Sequence, residues 1–435
     1  MTKSRSAFGV HTGLAFLLAI GSAQVLFAQD SQDYIVQFRA GVTAAARRAA
    51  VGNAGANARF VYAGVSAASV RVPNAQALRA LQGRSDVVAV IPNRAVFADQ
   101  AVFADQSATA KGKPGGGGGG VTTQVVPAGV ARVGVPRVGS DGSGIGVAVV
   151  DTGIDLTHPD LAGTVDAFSA FGGSCADDQG HGTHVAGIIA ARDNTRDVIG
   201  VAPAAQLYCV KVLDSTGSGS DEAVMAGLDW VLTNHALVTP AIRVINMSLG
   251  RPGTVDDNPA MRDLVAALDT AGVSIVVAAG NDPAADVSGQ IPAAYPTVAA
   301  VASTTAVGGS NLCRFLSAPI AADTASYFTT DGVKVLISAP GDEREDVSRA
   351  CLLQATGILS LRLGGGTTRM SGTSMASPHV AGVAARFYQQ NAAFSPSDVR
   401  GWITADASRP GVAPLDSPSS AYTFDGVREG VAQAP

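Results

Sequence analysis

Charge is scarce in this chain. Only 15% of its 435 residues are Asp, Glu, Lys or Arg, against 47% hydrophobic. Such a balance excludes general disorder and requires a large buried core. A basic excess is also missing: the formal net charge is −5, which excludes nucleic acid as a partner. Long apolar runs are absent too. The best candidate, Thr12 to Ala28, is 17 residues with Gly, Ser and Gln in it, short and weakly apolar for a membrane span. Cysteine is rare, with four residues (Cys175, Cys209, Cys313, Cys351), all beyond residue 170 and none in a Cys-x-x-Cys spacing. The first fact disfavours lipid attachment near the N-terminus, and the second excludes a zinc site.

What is present begins with a secretory signal over residues 1–28. Lys3 and Arg5 precede an apolar run that starts at Leu14 to Ile20 and reaches Ala28, and small residues offer cleavage after Ala23 or Ala28. The expected location is therefore extracellular or periplasmic. An even cysteine count in an oxidising compartment predicts two disulfides. Three connectivities are open; the local pairs 175–209 and 313–351 are favoured.

Residues 29–100 hold a small α+β unit. DYIVQF, SVRV and VVAVI pattern as strands, and TAAARRAAV and NAQALRALQ as helices. The patterned part, 34–94, is about sixty residues, marginal for a free-standing core. Residues 101–120 follow as a Gly-rich junction that ends in GGGGGG, and across its start the hexapeptide AVFADQ is repeated, at 95–100 and 101–106. Beyond it, over 121–435, the pattern changes. IGVAVVD (145–151), QLYCVKVLD (206–214), RVINMSLG (243–250), VSIVVAAG (273–280) and TVAAVAS (297–303) are β-branched apolar runs, as in parallel strands buried on both faces. Helix signals alternate with them. Ser220 can cap a helix that has Asp221 and Glu222 in its first turn. Asn258-Pro259 opens another, with Met261, Leu264, Val265 and Leu268 on one face and Gly272 past its end. The fold class is α/β, a doubly wound mostly parallel sheet, with its site at the C-terminal ends of the strands.

Four segments place reactive groups at such ends: Asp151 in VVDTGID, His181 in GHGTHVAG, Asn281 in AAGND and Ser374 in SGTSMASPHVAG. Each has an ordinary structural use when taken alone. His181 and His184 lack the Glu of a zinc protease, and GSGIG at 142–146 precedes its strand, unlike a dinucleotide loop. Together they meet the needs of acyl transfer. A serine needs an imidazole to take its proton, the imidazole needs a carboxylate to orient it, and the oxyanion needs donors.

DTGID, GHGTHVAG and GTSMASPHVAG, in that order with AAGN between the last two, resemble the signature segments of the subtilisin-like serine proteases. The resemblance covers residues 121–405, and 34–94 resembles the family's inhibitory propeptide. It implies a secreted serine endopeptidase made as a self-processing zymogen, with Asp151 as orienting acid, His181 as base, Ser374 as nucleophile and Asn281 as oxyanion donor. A catalytically inactive relative and a dedicated processing protease are the alternatives. Gly217-Ser218-Gly219 and Ser248-Leu249-Gly250 resemble the edges that pair with substrate backbone. Ala278-Ala279-Gly280 resembles a wall of the S1 pocket, with Ala294 at its base, which suits medium or large apolar P1 residues. His158, His184 and His379 are expected to be structural. The resemblance also implies a structural Ca²⁺ held by the side chains of Gln124, Asp160 and Asn194 and the carbonyls of Arg192, Arg196 and Val198. Expected partners are protein or peptide substrates and the chain's own propeptide, with no membrane and a monomeric state. Residues 306–369 are longer than in small members and are expected to form a surface insertion stapled by Cys313 and Cys351. Either hexapeptide copy could be the propeptide tail in the cleft. A cut after its Gln would put Phe at P4, where an apolar pocket could hold it.

Overall fold

The computed structural model describes residues 32–98, 124–135, 139–315, 320–407 and 429–435. The predicted signal peptide, the second hexapeptide copy and the glycine run lie outside them.

The large unit is built on seven parallel strands. In spatial order they are Val335–Asp342, Val298–Thr305, Ser274–Ala278, Ile242–Met247, Gly146–Asp151, Gln206–Lys211 and Val165–Ser169. Every residue of Gly146–Asp151 and Ser274–Ala278 is buried, as apolar strands covered on both faces must be. One face packs on the helices His181–Ala190 and Thr373–Gln390, and the other on Asp221–Asn234 and Pro259–Thr270. The last two helices start where their caps require. Ser220 Oγ accepts from Ala223 N, and Asn258 Oδ1 from Met261 N. After Gly146–Asp151 the chain adds strands on one side, and from Ile242 onward on the other. The crevice where the order reverses is the expected place for a site.

Two strands of this sheet were not anticipated, Val165–Ser169 and Val335–Asp342. The second corrects the expectation for 306–369. Only part of that segment is a surface addition; Val335–Asp342 is a core strand with seven of its eight residues buried. The disulfide pairs are those favoured, Cys175–Cys209 and Cys313–Cys351. The second closes a small separate cluster with Ile320 and Val347.

The small unit is a four-stranded antiparallel sheet in the order Asn57–Val61, Ala67–Arg71, Asp33–Phe38, Val87–Pro92. The helices Ala44–Asn53 and Ala75–Gln82 cover one face through Ala50, Val51, Ala77 and Leu81. From the other face, Ile35, Tyr62 and Ala67 join the core cluster of the large unit.

Candidate active site

Asp151 ends the central strand and is fully buried. His181 opens its helix after Gly180, which takes φ 108°, a left-handed turn that favours glycine. The two meet at 2.7 Å, His181 Nδ1 to Asp151 Oδ1. Their approach requires glycine at 182, where a Cβ would lie 2.1 Å from Gly153 O and 3.1 Å from Asp151 Oδ1.

Ser374 lies in the first turn of Thr373–Gln390, a helix that contains Pro378. Proline has no N–H, so the carbonyl four residues back, that of Ser374, lacks its helical donor. Ser248 fills the gap. Its Oγ donates to Ser374 O at 2.8 Å, and its own carbonyl accepts from Ser374 Oγ at 3.2 Å. Ser374 is thereby fixed to the end of the strand Ile242–Met247. Asn281 follows Ser274–Ala278, and its Oδ1 accepts from Thr373 N at 2.8 Å and Thr373 Oγ1 at 2.9 Å. A backbone N–H can only donate, so the carboxamide oxygen must face Thr373. The Nδ2 end is therefore turned away from Thr373.

His184 and His379 are wholly buried, and burial holds them down at about 3 and about 4; the neighbouring His181 also lowers His184. Both stay neutral and bond backbone carbonyls, those of Ile358 and Met375. His158 Nδ1 accepts from Asp160 N and so caps a short 3-10 turn.

The two expected substrate edges are joined by a third segment. The strand Ala95–Ala98, from the first hexapeptide copy, runs antiparallel to both Ser218–Ser220 and Leu249–Pro252. Ala98 N donates to Gly217 O at 2.8 Å. Val96 and Ala98 are buried, while Phe97 is 44% exposed. The expectation that Phe fills a pocket is corrected here: side chains alternate along a strand, and this register turns Val96 inward.

Two supports gave no sequence signal. Asp221 and Arg251, both buried, pair through two bonds of 2.9 and 2.8 Å and tie the two edges together. Asp177 accepts from Thr152 Oγ1, Gly180 N and Thr183 N, clamping the Asp151 loop to the start of the His181 helix. Near Gly280, a Cβ would meet Thr330 Oγ1 at 2.8 Å and Gln290 Cγ at 3.5 Å, whereas Ala294 is fully buried. Ala278 and Ala279 are equally covered. The wall beside Gly280 is more polar than expected.

The six residues of the expected cation site converge. Gln124 Nε2 donates to Arg192 O at 2.6 Å and to Val198 O at 3.1 Å, and its Oε1 accepts from Asn194 N. Asn194 Nδ2 donates to Asp160 Oδ1. Arg196 joins through its N–H to Asn194 Oδ1. Asp160 is fully buried, and burial raises its pKa.

A family model described as the subtilase family matches residues 142–423. The chain belongs to the subtilase family. Subtilisin of Bacillus pumilus is 35% identical over 292 residues, 66% of this chain and 92% of that protein. Subtilisin Savinase of Lederbergia lenta is 37% identical over 289 residues, 66% of this chain and 92% of that protein. Among solved structures, a cold adapted subtilisin-like serine proteinase matches with 29% identity and TM-score 0.55, covering 71% of this chain and 98% of that one. Fervidolysin from Fervidobacterium pennivorans, a keratinolytic enzyme related to subtilisin, has 23% identity and TM-score 0.66 over 92% of this chain and 60% of its own, a likeness of fold. This subtilase is a serine-type endopeptidase whose substrates are proteins.

Proposed function

We propose that the chain is a secreted zymogen whose small unit inhibits it until the chain cuts itself. The observation that carries this reading is the strand Ala95–Ala98 between the edges at 217–219 and 249–250. A segment bound as an added strand offers its backbone as a substrate does.

Ser374 Oγ attacks the scissile carbonyl carbon while His181 Nε2 takes its proton. Asp151, bonded to Nδ1 at 2.7 Å, fixes the tautomer and stabilises the imidazolium. The oxyanion accepts from Asn281 Nδ2 and from the backbone N–H of Ser374 at the helix start. His181 then protonates the leaving amine, and water hydrolyses the acyl-enzyme.

The oxygen-rich cluster of Gln124, Asp160, Asn194, Arg192 and Val198 fits a hard cation, because Asp160 is buried and burial penalises its charge. Bound Ca²⁺ would neutralise that carboxylate and pin the loop 192–198 to the segment around Gln124. Chelation with EDTA is then expected to lower Tm; an unchanged Tm removes the cation from the account. The signal sequence and the two disulfides support an extracellular location.

The test is labelling by a fluorophosphonate together with casein hydrolysis. Both are expected in the wild-type chain and absent after Ser374→Ala. Hydrolysis that survives the substitution refutes the triad, and a correctly folded wild-type chain that neither labels nor cleaves is an inactive relative.

A further inference from the structure

Lys211 ends the strand Gln206–Lys211, beside the end of the strand that carries Asp151. The two strands are parallel, and Asp151 pairs with Lys211 in register. Val147, Val149, Leu207 and Cys209 belong to the core cluster that packs on the His181 helix. Side chains alternate along a strand, so Asp151 and Lys211 continue those two rows and project to the same face. A lysine in that place is out of water, with 5% of its surface exposed, and lysines are rarely so buried unless paired.

The ammonium donates to Thr152 O at 2.5 Å and to Asp178 Oδ1 at 2.6 Å, and it lies 5.8 Å from the centre of the Phe171 ring. Asp178 is about half exposed, and a pair of this kind contributes little by itself. The buried contact is the one to Thr152. That residue also donates its N–H to Asp151 Oδ1 at 2.7 Å, the oxygen that His181 Nδ1 meets at 2.7 Å. Asp151 Oδ2 is buried without a hydrogen-bond partner. A carboxylate sealed in this way needs a compensating charge and a fixed orientation. The backbone adds to the grip, because Val212 N and Leu213 N both donate to Asp151 O. Asp177, the other buried carboxylate of this loop, is already satisfied by Thr152 Oγ1, Gln179 N, Gly180 N and Thr183.

We propose that Lys211 is a positioning residue for Asp151. Its ammonium holds Thr152, and through it the Asp151 carboxylate, in line with His181, and supplies a positive charge beside that buried group. The proposal rests on the Asp151–His181–Ser374 reading above. It assigns a role in the reaction to a residue that makes no contact with the scissile bond, so its signature is a change in turnover and not in substrate affinity.

Kinetics of the processed enzyme test this, with competent sites counted by end-point fluorophosphonate labelling. Lys211→Met keeps the length of the stem and removes the ammonium. Its kcat is expected to fall roughly 10- to 100-fold, as displacement of a catalytic group does, with KM little changed. Lys211→Arg, which can donate to both acceptors, is expected to restore most of the loss, and Asp178→Asn to leave kcat close to wild type. In the Ser374→Ala chain, the low-field proton resonance of the His181–Asp151 bond is expected to move with Lys211→Met and to return with Lys211→Arg. Should Lys211→Met fail to fold, Lys211→Gln takes its place with the same expectation. An unchanged kcat, or a resonance that stays in place, in the uncharged variant overturns the proposal. An equal loss in Asp178→Asn also overturns it, since the pair would then be a structural staple. Full activity in Asp151→Asn would instead overturn the triad reading, whatever the Lys211 variants do.

Discussion

The seven-stranded sheet of the large unit buries both faces under its own helices, whereas the four-stranded sheet of the small unit covers only one face for itself. Its other face leans on Asp221–Asn234 and Pro259–Thr270 through a mixture of apolar and charged contacts. Arg59 pairs with Glu222, Gln37 bonds Asp263, and buried Asp229 accepts from Ala63 N at 2.9 Å and Gly64 N at 2.6 Å. The small unit is thus built to be held, and the large one to hold. A core sealed on both faces keeps catalytic groups at fixed distances, while a one-sided sheet can be released once its covalent tie is cut.

Substitutions in each unit would break that contrast in different ways. The largest effect is expected in the large unit. Asn281→Ala removes the proposed oxyanion donor and is expected to lower kcat roughly 10²–10³-fold with KM little changed, the magnitude that loss of such a donor has in a subtilisin. Steady-state kinetics on the processed enzyme decide it; an unchanged kcat would remove Asn281 from the mechanism. At the boundary, Asp229→Ala leaves two N–H groups without their acceptor, a loss of about 1–3 kcal/mol. Inhibition of the processed enzyme by small unit added in trans is expected to weaken roughly 5- to 150-fold. An unaltered inhibition constant would mean that the polar contacts contribute nothing to the hold.

A third effect concerns pH. Burial raises Asp342 from 3.8 to about 7 and Glu345 from 4.5 to about 8, with the Asp342 charge adding to the latter. Asp342 Oδ1 accepts from Gly357 N and Ser371 Oγ, and Glu345 Oε1 from Tyr327 N. Gly372 N, two residues before Ser374, donates to Gly341 O. Between the two ordinary values and about pH 8 the folded chain binds more protons than the unfolded one, so stability falls as pH rises. It is full below about pH 4 and is lost as the pH passes about 7 to 8. Thermal melts of Ser374→Ala between pH 5 and 8 are expected to show this slope, and adding Asp342→Asn with Glu345→Gln to flatten it. An identical slope in both would place the titration elsewhere.

The parts legible in the sequence are those whose signal is local. The caps at Ser220 and Asn258, the β-branched core strands and the segments around Asp151, His181, Asn281 and Ser374 all stand where their residues put them. What escaped was set by long-range pairing. Val335–Asp342 sits within a segment whose length suggested a surface insertion, yet it completes the sheet beside Val298–Thr305. The Arg251–Asp221 tie joins residues 30 apart that no short motif links. For AVFADQ, alternation allowed either Val or Phe inside, and only the pairing with Ser218–Ser220 decides between them.

Hydrogen exchange on the unprocessed Ser374→Ala chain tests the central claim most directly, that the small unit lays its own tail across the catalytic groove. The Ala98 amide, bonded to Gly217 O, and the paired edges at 218–220 and 249–250 are expected to exchange slowly. Exchange of residues 95–98 at the rate of an unstructured peptide, while the large unit stays protected, would contradict the account.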